Sequence, residues 1–257
     1  MLASALLLDL GNSRFKWGWW QDGSLIPGGV SDYPQTGAEP ASMLEVPQGV
    51  APPSRILAAS VTTDRRWQAL HQALRERFEV EPQVVTSQAQ LGGIHNAYPE
   101  PQRLGVDRLL AMAGARSLGM QAGCVIDCGT AMTLDGVDAD GRHLGGLIVP
   151  GTALMRESLV GAAPVFDAYP DLPVMDFATD TATAVVSGSM LAAIGLIDHF
   201  ARATRNACQG EVELVFAGGG SQALLGLRQW RALGWPSRYL EDLVLHGLAV
   251  VAEEAEK

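Results

Sequence analysis

The apolar positions of this chain fall into short runs broken by tight turns, and the same order of runs occurs twice. Residues 6–10, 15–20 and 24–30 read as three strands, with Asp22-Gly23 as the hairpin turn between the second and third. Strand alternation puts Trp17 and Trp19 on one face, which for side chains of that size is the core face. Residues 33–53 are rich in Pro, Gly and polar types and read as a loop. Residues 56–61 read as a buried strand and 83–86 as a shorter one. Between them, 63–78 read as an amphipathic helix, with Trp67, Leu70, Leu74 and Phe78 at helical spacing. A helix over 106–118, rich in small residues, follows a Pro-containing loop.

The order then restarts. Residues 124–128, 132–137 and 143–148 read as three strands, and Pro150-Gly151 ends the third. Helices follow over 152–160 and 181–205, the second apolar through Leu191, Ile194, Leu196 and Ile197. Residues 213–217 read as a strand ending in Gly218-Gly219-Gly220, with Ser221 as the cap of a new helix. The last helix is expected over 240–254. The pattern is a duplicated α/β layout with a ligand cleft between the halves, divided into an N-terminal domain of residues 1–118 and a C-terminal domain of 119–257.

The repetition extends to polar residues. Leu8-Asp9-Leu10-Gly11-Asn12-Ser13 and Ile126-Asp127-Cys128-Gly129-Thr130-Ala131 lie 118 positions apart. In each, the Asp precedes a turn Asp-Gly, Asp22-Gly23 or Asp140-Gly141, by 13 positions. An acidic strand end followed by a small turn bearing hydroxyl or amide groups suits a nucleotide's phosphate tail. Gly11 lets the backbone approach a phosphate; Asn12, Ser13 and backbone N–H groups can donate to it; Lys16 adds a point charge. Asp9 can hold a hydrated Mg²⁺, which needs only one or two protein carboxylates.

Composition narrows the partners. The 257 residues are 47% apolar and 18% charged, with a net charge of −10. An acidic surface repels nucleic acid and anionic membrane, so neither is expected as a partner. It also makes the basic residues near the motifs, Lys16, Arg108 and Arg156, more informative. Cys124, Cys128 and Cys208 have no disulfide or metal spacing; the first two fall on a predicted buried strand and read as core, which fits a reducing cytoplasm. The N-terminal apolar run lacks a basic segment and is interrupted by Asp9, so neither a signal peptide nor a membrane span is expected. The five histidines are scattered, with no metal-ligand spacing, and His95 reads as a surface residue.

A third segment, Asn96-Ala-Tyr98-Pro-Glu-Pro101 with Leu104-Gly105-Val106-Asp107-Arg108, leads from a loop into a helix. A helix N-terminus attracts anions, Arg108 can grip a carboxylate, and Asp107 can accept a proton from a hydroxyl. On composition alone, Asp107 and Arg108 read first as a charge pair at the start of a surface helix. The glycine turn at 218–220 lets a flat base lie against the backbone.

Taken together, these residues resemble the type III pantothenate kinases, of the acetate and sugar kinase, Hsp70 and actin superfamily. The resemblance rests on Asp9-x-Gly-Asn-Ser-x-x-Lys16, on Asn96-x-Tyr-x-x-Pro-x-x-Leu-Gly-x-Asp-Arg108, on Asp127-x-Gly-Thr-Ala-x-Thr-x-Asp135, on Gly145-Gly-x-Ile-x-Pro-Gly151 and on Thr181-x-x-Ala184. It implies two actin-like (ribonuclease H-like) domains, each a five-stranded mixed sheet with helices. It implies ATP contacts at Asp9, Leu10, Gly11, Asn12, Ser13, Arg14, Phe15, Lys16 and Thr130. Pantothenate contacts would come from Tyr98, Gly105, Val106, Asp107, Arg108 and Thr181, with Asp107 the proton acceptor. Asp127 would be the ligand of a monovalent cation, K⁺ or NH₄⁺, and the protein a homodimer. Phe216-Ala-Gly-Gly-Gly stands where the family has a Thr-Gly-Gly pattern. Another small-molecule kinase or a phosphatase on the same scaffold, or a nucleotide-binding accessory regulator, remain the alternatives.

Overall fold

The computed structural model describes residues 4–11, 14–32, 44–60, 65–162 and 172–254. In chain order the elements are β1 (Ser4–Leu10), β2 (Arg14–Gln21), β3 (Ser24–Asp32), β4 (Arg55–Ser60), α1 (Arg65–Phe78), β5 (Pro82–Val85), β6 (Gln90–Leu91), β7 (Ile94–His95) and α2 (Val106–Ser117). They continue with β8 (Gly123–Cys128), β9 (Ala131–Val137), β10 (His143–Pro150), α3 (Thr152–Ala162), α4 (Thr181–Cys208), β11 (Glu213–Ala217), α5 (Ser221–Leu225), α6 (Arg228–Arg231), β12 (Ser237–Tyr239) and α7 (Leu243–Glu254). Each expected strand of the two repeats forms where its apolar run lies. Short elements at β6, β7, α6 and β12 escaped sequence reading because their runs are too brief to show a period.

The chain divides into two compact units, residues 1–119 with 242–257, and residues 120–241. The expected C-terminal domain ending at 257 is therefore corrected: the last helix belongs to the first unit. The cause is packing. A side chain at Gly247 of α7 would collide with the Leu110 carbonyl of α2, and one at Gly114 of α2 with the Leu243 carbonyl of α7. Two glycines thus bring the helix backbones together, and Leu243, Leu245 and Leu248 of α7 are buried.

The first unit holds a sheet in the order β3-β2-β1-β4-β5. The second holds β10-β9-β8-β11-β12, the same order in its own numbering. In both, the first strand runs antiparallel to the second and parallel to the fourth. The first core gathers Leu6, Leu8, Leu10, Phe15, Trp17 and Trp19 from the sheet with Leu70 and Leu74 of α1. Trp17 and Trp19 both lie in it, although β2 is irregular against β3 between Trp17 and Gly18. The second core gathers Cys124, Ile126, Leu134, Leu214 and Phe216 with Met190, Ala193, Ile194, Ile197 and Ala201 of α4. α4 is long and apolar enough to cross a membrane, but these buried positions make it the core helix of its sheet. Burial pushes the Cys124 thiol up to about 12, with the Thr204 hydroxyl opposing, so it is an inert core residue.

Candidate active site

Register places the two repeated motifs identically. Asp9 is the penultimate residue of β1, opposite Lys16 of β2 and beside Ala59 of β4. Asp127 is the penultimate residue of β8, opposite Thr133 of β9 and beside Ala217 of β11. Both carboxylates are half-buried at the C-terminal end of a central strand, the end at which open α/β sheets take their ligands. Beyond them, three residues separate β1 from β2 and two separate β8 from β9. Gly11 is half-buried; Asn12 and Ser13 lie outside the described residues, as does the Arg14 side chain. Leu10 and Phe15 are core residues, 2% and 0% exposed, so of the two only the backbone is available to a phosphate.

In the second unit the turn after Asp127 is short. Gly129 donates its N–H to the Ala131 carbonyl at 3.0 Å, and Gly151 donates to the Thr130 carbonyl at 2.8 Å, so the end of β10 braces the turn. Thr130 is exposed. The glycine turn after β11 folds back over this site: Gly220 N–H donates to the Cys128 carbonyl at 2.9 Å. Gly218 has φ +80°, and a side chain there would collide with the Asp127 carboxylate. The need for glycine at 218 thus comes from its left-handed backbone, the Asp127 carboxylate and the Cys128 carbonyl together. Gly219 faces open space. Ser221, expected as a helix cap, is the first residue of α5; its hydroxyl donates to the Ala217 carbonyl and the cap position is Gly220. Cys128 is buried below, its thiol pushed up to about 11 by burial, with Asp127 adding to the rise and a Ser221 hydrogen bond opposing it.

The third motif assembles at the head of α2. Asn96 accepts the Tyr98 N–H at 3.0 Å and donates to the Pro101 carbonyl at 3.0 Å, which fixes the loop. Arg108 is buried, 6% exposed, and its Nη1 donates to the Tyr98 hydroxyl at 3.2 Å. Asp107 Oδ1 accepts the Arg108 N–H at 2.9 Å. A side chain at Gly105 would strike that oxygen, so glycine lets the carboxylate fold back over the helix N-terminus. Val106 is buried and serves packing. Tyr98, Gly105, Asp107 and Arg108 therefore form one constellation. Thr181, in the second unit, is exposed as the first residue of α4. Asp180 caps that helix, accepting the Thr183 N–H at 2.9 Å, and the Thr183 backbone and side-chain hydrogen bonds hold its carboxyl below the usual range.

Two contacts were not read from sequence. Lys16 Nζ meets Asp242 Oδ1 at 3.0 Å. His143 Nε2 meets Asp135 Oδ1 at 2.9 Å with both side chains buried. The second was signalled by the hairpin, since the two residues straddle the Asp140-Gly141 turn; the first spans 226 positions and has no local signal.

The donor chemistry at Asp9 and Asp127 is hard oxygen. Among the described residues no group of three or more His, Cys, Asp or Glu side chains could hold a metal. A magnesium ion carried by nucleotide phosphates needs no such group, and one carboxylate with backbone oxygens suits an alkali cation. Both groups fit.

A sequence model of the type III pantothenate kinase family matches residues 5–203. A type III pantothenate kinase of Nitrosococcus oceani is 32% identical over 98% of this chain and 95% of its own length. That of Halorhodospira halophila is 36% identical over 95% of each. Among solved structures, the ADPNP-bound activator of a 2-hydroxyisocaproyl-CoA dehydratase from Clostridium difficile matches all of this chain and 96% of its own, at TM-score 0.53 and 12% identity. That likeness concerns the fold alone, the actin-like duplicated sheet.

Proposed function

The chain belongs to the type III pantothenate kinase family, and on that premise we propose how its residues divide the work of phosphorylating pantothenate. The reaction moves the γ-phosphoryl group of ATP, used with a divalent metal, to the primary alcohol of pantothenate. It yields ADP and 4′-phosphopantothenate, the first step of coenzyme A biosynthesis. Phosphoryl transfer asks mainly for positioning and charge neutralisation.

Asp107 accepts the alcohol's proton. The observation that carries this role is its placement: a half-buried carboxylate folded over Gly105 at the head of α2, beside an Arg108 held by Tyr98. Tyr98, Gly105, Val106, Arg108 and Thr181 hold pantothenate, Val106 through the backbone. The Asp9–Lys16 hairpin and Thr130 contact ATP. Asp9 would hold the magnesium ion, which supplies charge neutralisation at the phosphates. Asp127 would hold K⁺ or NH₄⁺, which supplies a further positive charge.

The enzyme acts as a cytoplasmic homodimer. Supporting this, Leu147 and Ile148 of β10 and Leu154 and Leu159 of α3 are exposed at 40%, 61%, 37% and 41%. The outer face of α4 presents Ala184, Gly188, Ala192 and Gly195, with open space at both glycines. Such a surface admits a closely packed second copy.

The test is an ADP-release assay with pantothenate, run with and without potassium, with phosphopantothenate identified by mass. ADP and phosphopantothenate in equal amounts, with turnover raised by potassium, are expected. Phosphorylation of another alcohol in place of pantothenate, or ATP binding without turnover, would overturn the reading.

A further inference from the structure

We propose that Asp242 is a positioning residue for the nucleotide site, holding the Lys16 ammonium where the phosphates of ATP meet it. This rests on the reading of Lys16 as an ATP contact. Lys16 lies directly opposite Asp9 in the β1–β2 register, so both side chains leave the same face of the sheet. α7 covers that face: a side chain on Gly18, two positions along, would touch Leu245 Cδ1 at 3.4 Å. Asp242 stands at the head of α7, and its carbonyl accepts the His246 N–H at 3.0 Å, the first turn of the helix. Its φ is +53°, a left-handed conformation that Asp and Asn tolerate better than most residues.

The helix holds the Asp242 backbone, from which the carboxylate extends on a short side chain, whereas the lysine is the longer and more flexible partner. Lysine is a point charge on a four-carbon stem with many rotamers, and an anion 3.0 Å away favours one of them. An ammonium has three N–H donors, so this anchor is compatible with a phosphate contact. The arrangement is that of a strand lysine held by a helix carboxylate, which protein kinases need for the same task. The side chains are 38% and 23% exposed, so the pair adds little to stability and its effect falls on ligand binding.

The test uses Asp242→Asn, which keeps the shape and the left-handed backbone, with Lys16→Met and the double variant. Affinity for Mg-ATP is read by calorimetry, KM and kcat by the coupled assay, and folding by thermal melting. The proposal expects Asp242→Asn to weaken ATP about fivefold, the size of a part-exposed ion pair, with the loss in KM and melting unchanged. The double variant should bind ATP no worse than Lys16→Met alone. ATP binding by Asp242→Asn equal to or tighter than native, with Lys16→Met impaired, would show Asp242 to be idle or a competitor and would overturn the proposal. Normal ATP binding by Lys16→Met would instead remove Lys16 from the nucleotide site, and this proposal with it.

Discussion

The two hairpins share one strand pairing and differ in what surrounds each aspartate. Asp9 faces a lysine across the strand pair; Asp127 faces a threonine. The residue after the parallel neighbour is Ser60, ending β4, in the first copy, and Gly218, folded over the carboxylate, in the second. Two positions further down the hairpin, the first copy has Gly18 against Leu25, and the second has the buried Asp135–His143 pair in the equivalent register. The first copy thus carries its own fixed cation beside the acid. The second carries an acid enclosed by backbone, with no lysine opposite, and is the copy assigned an alkali ion. The sheet order is the same in both copies, and the side chains set on it differ.

A parallel contrast lies at two helix heads. Asp180 is a true cap, its carboxylate occupied by Thr183. Asp107 sits inside the first turn of α2, folded back over Gly105. The largest expected effect separates them: Asp107→Asn should lower kcat by about 10²–10⁴-fold, the usual worth of a general base, with ATP affinity retained. Next, His143→Ala leaves Asp135 buried without its imidazole and should cost about 3–5 kcal/mol in urea unfolding. Installing the first copy's residues, Asp135→Gly with His143→Leu, should recover much of that loss. Gly218→Ala forces a side chain into Asp127 at positive φ and should cost about 2–3 kcal/mol, whereas Ser60→Gly should stay within about 1 kcal/mol.

The smallest effect concerns Asp180. Its carboxyl is held below the usual range, so its stabilisation is complete above the ordinary carboxylate pKa and is lost as pH falls through the lowered one. Asp180→Asn keeps a good cap and should leave the neutral-pH melting temperature unchanged. It should also shrink the drop in melting temperature between about pH 5 and about pH 3.

Much of this was legible in the chain. Apolar runs of alternating or helical period located the long elements, and the repeated Asp-x-Gly located both turns. What could not be read was long-range. α7 returns to the first unit because Gly114 and Gly247 permit a backbone contact, and a glycine in a helix does not announce its partner. Asp242 reaches Lys16 across nearly the whole chain. Sequence shows a glycine at 218 but not that the Asp127 carboxylate approaches it. The β12 strand, three residues long, has no pattern to detect.

On this reading one hairpin serves magnesium and the phosphates and the other an alkali cation. The decisive experiment is calorimetric titration of Mg-ATP into native protein, Asp9→Asn and Asp127→Asn, each in potassium and in sodium buffer. Tighter binding in potassium is expected for the native protein, weaker binding in both buffers but an intact potassium preference for Asp9→Asn, and loss of that preference for Asp127→Asn. Identical profiles for the two variants, or no potassium preference in the native protein, would contradict it.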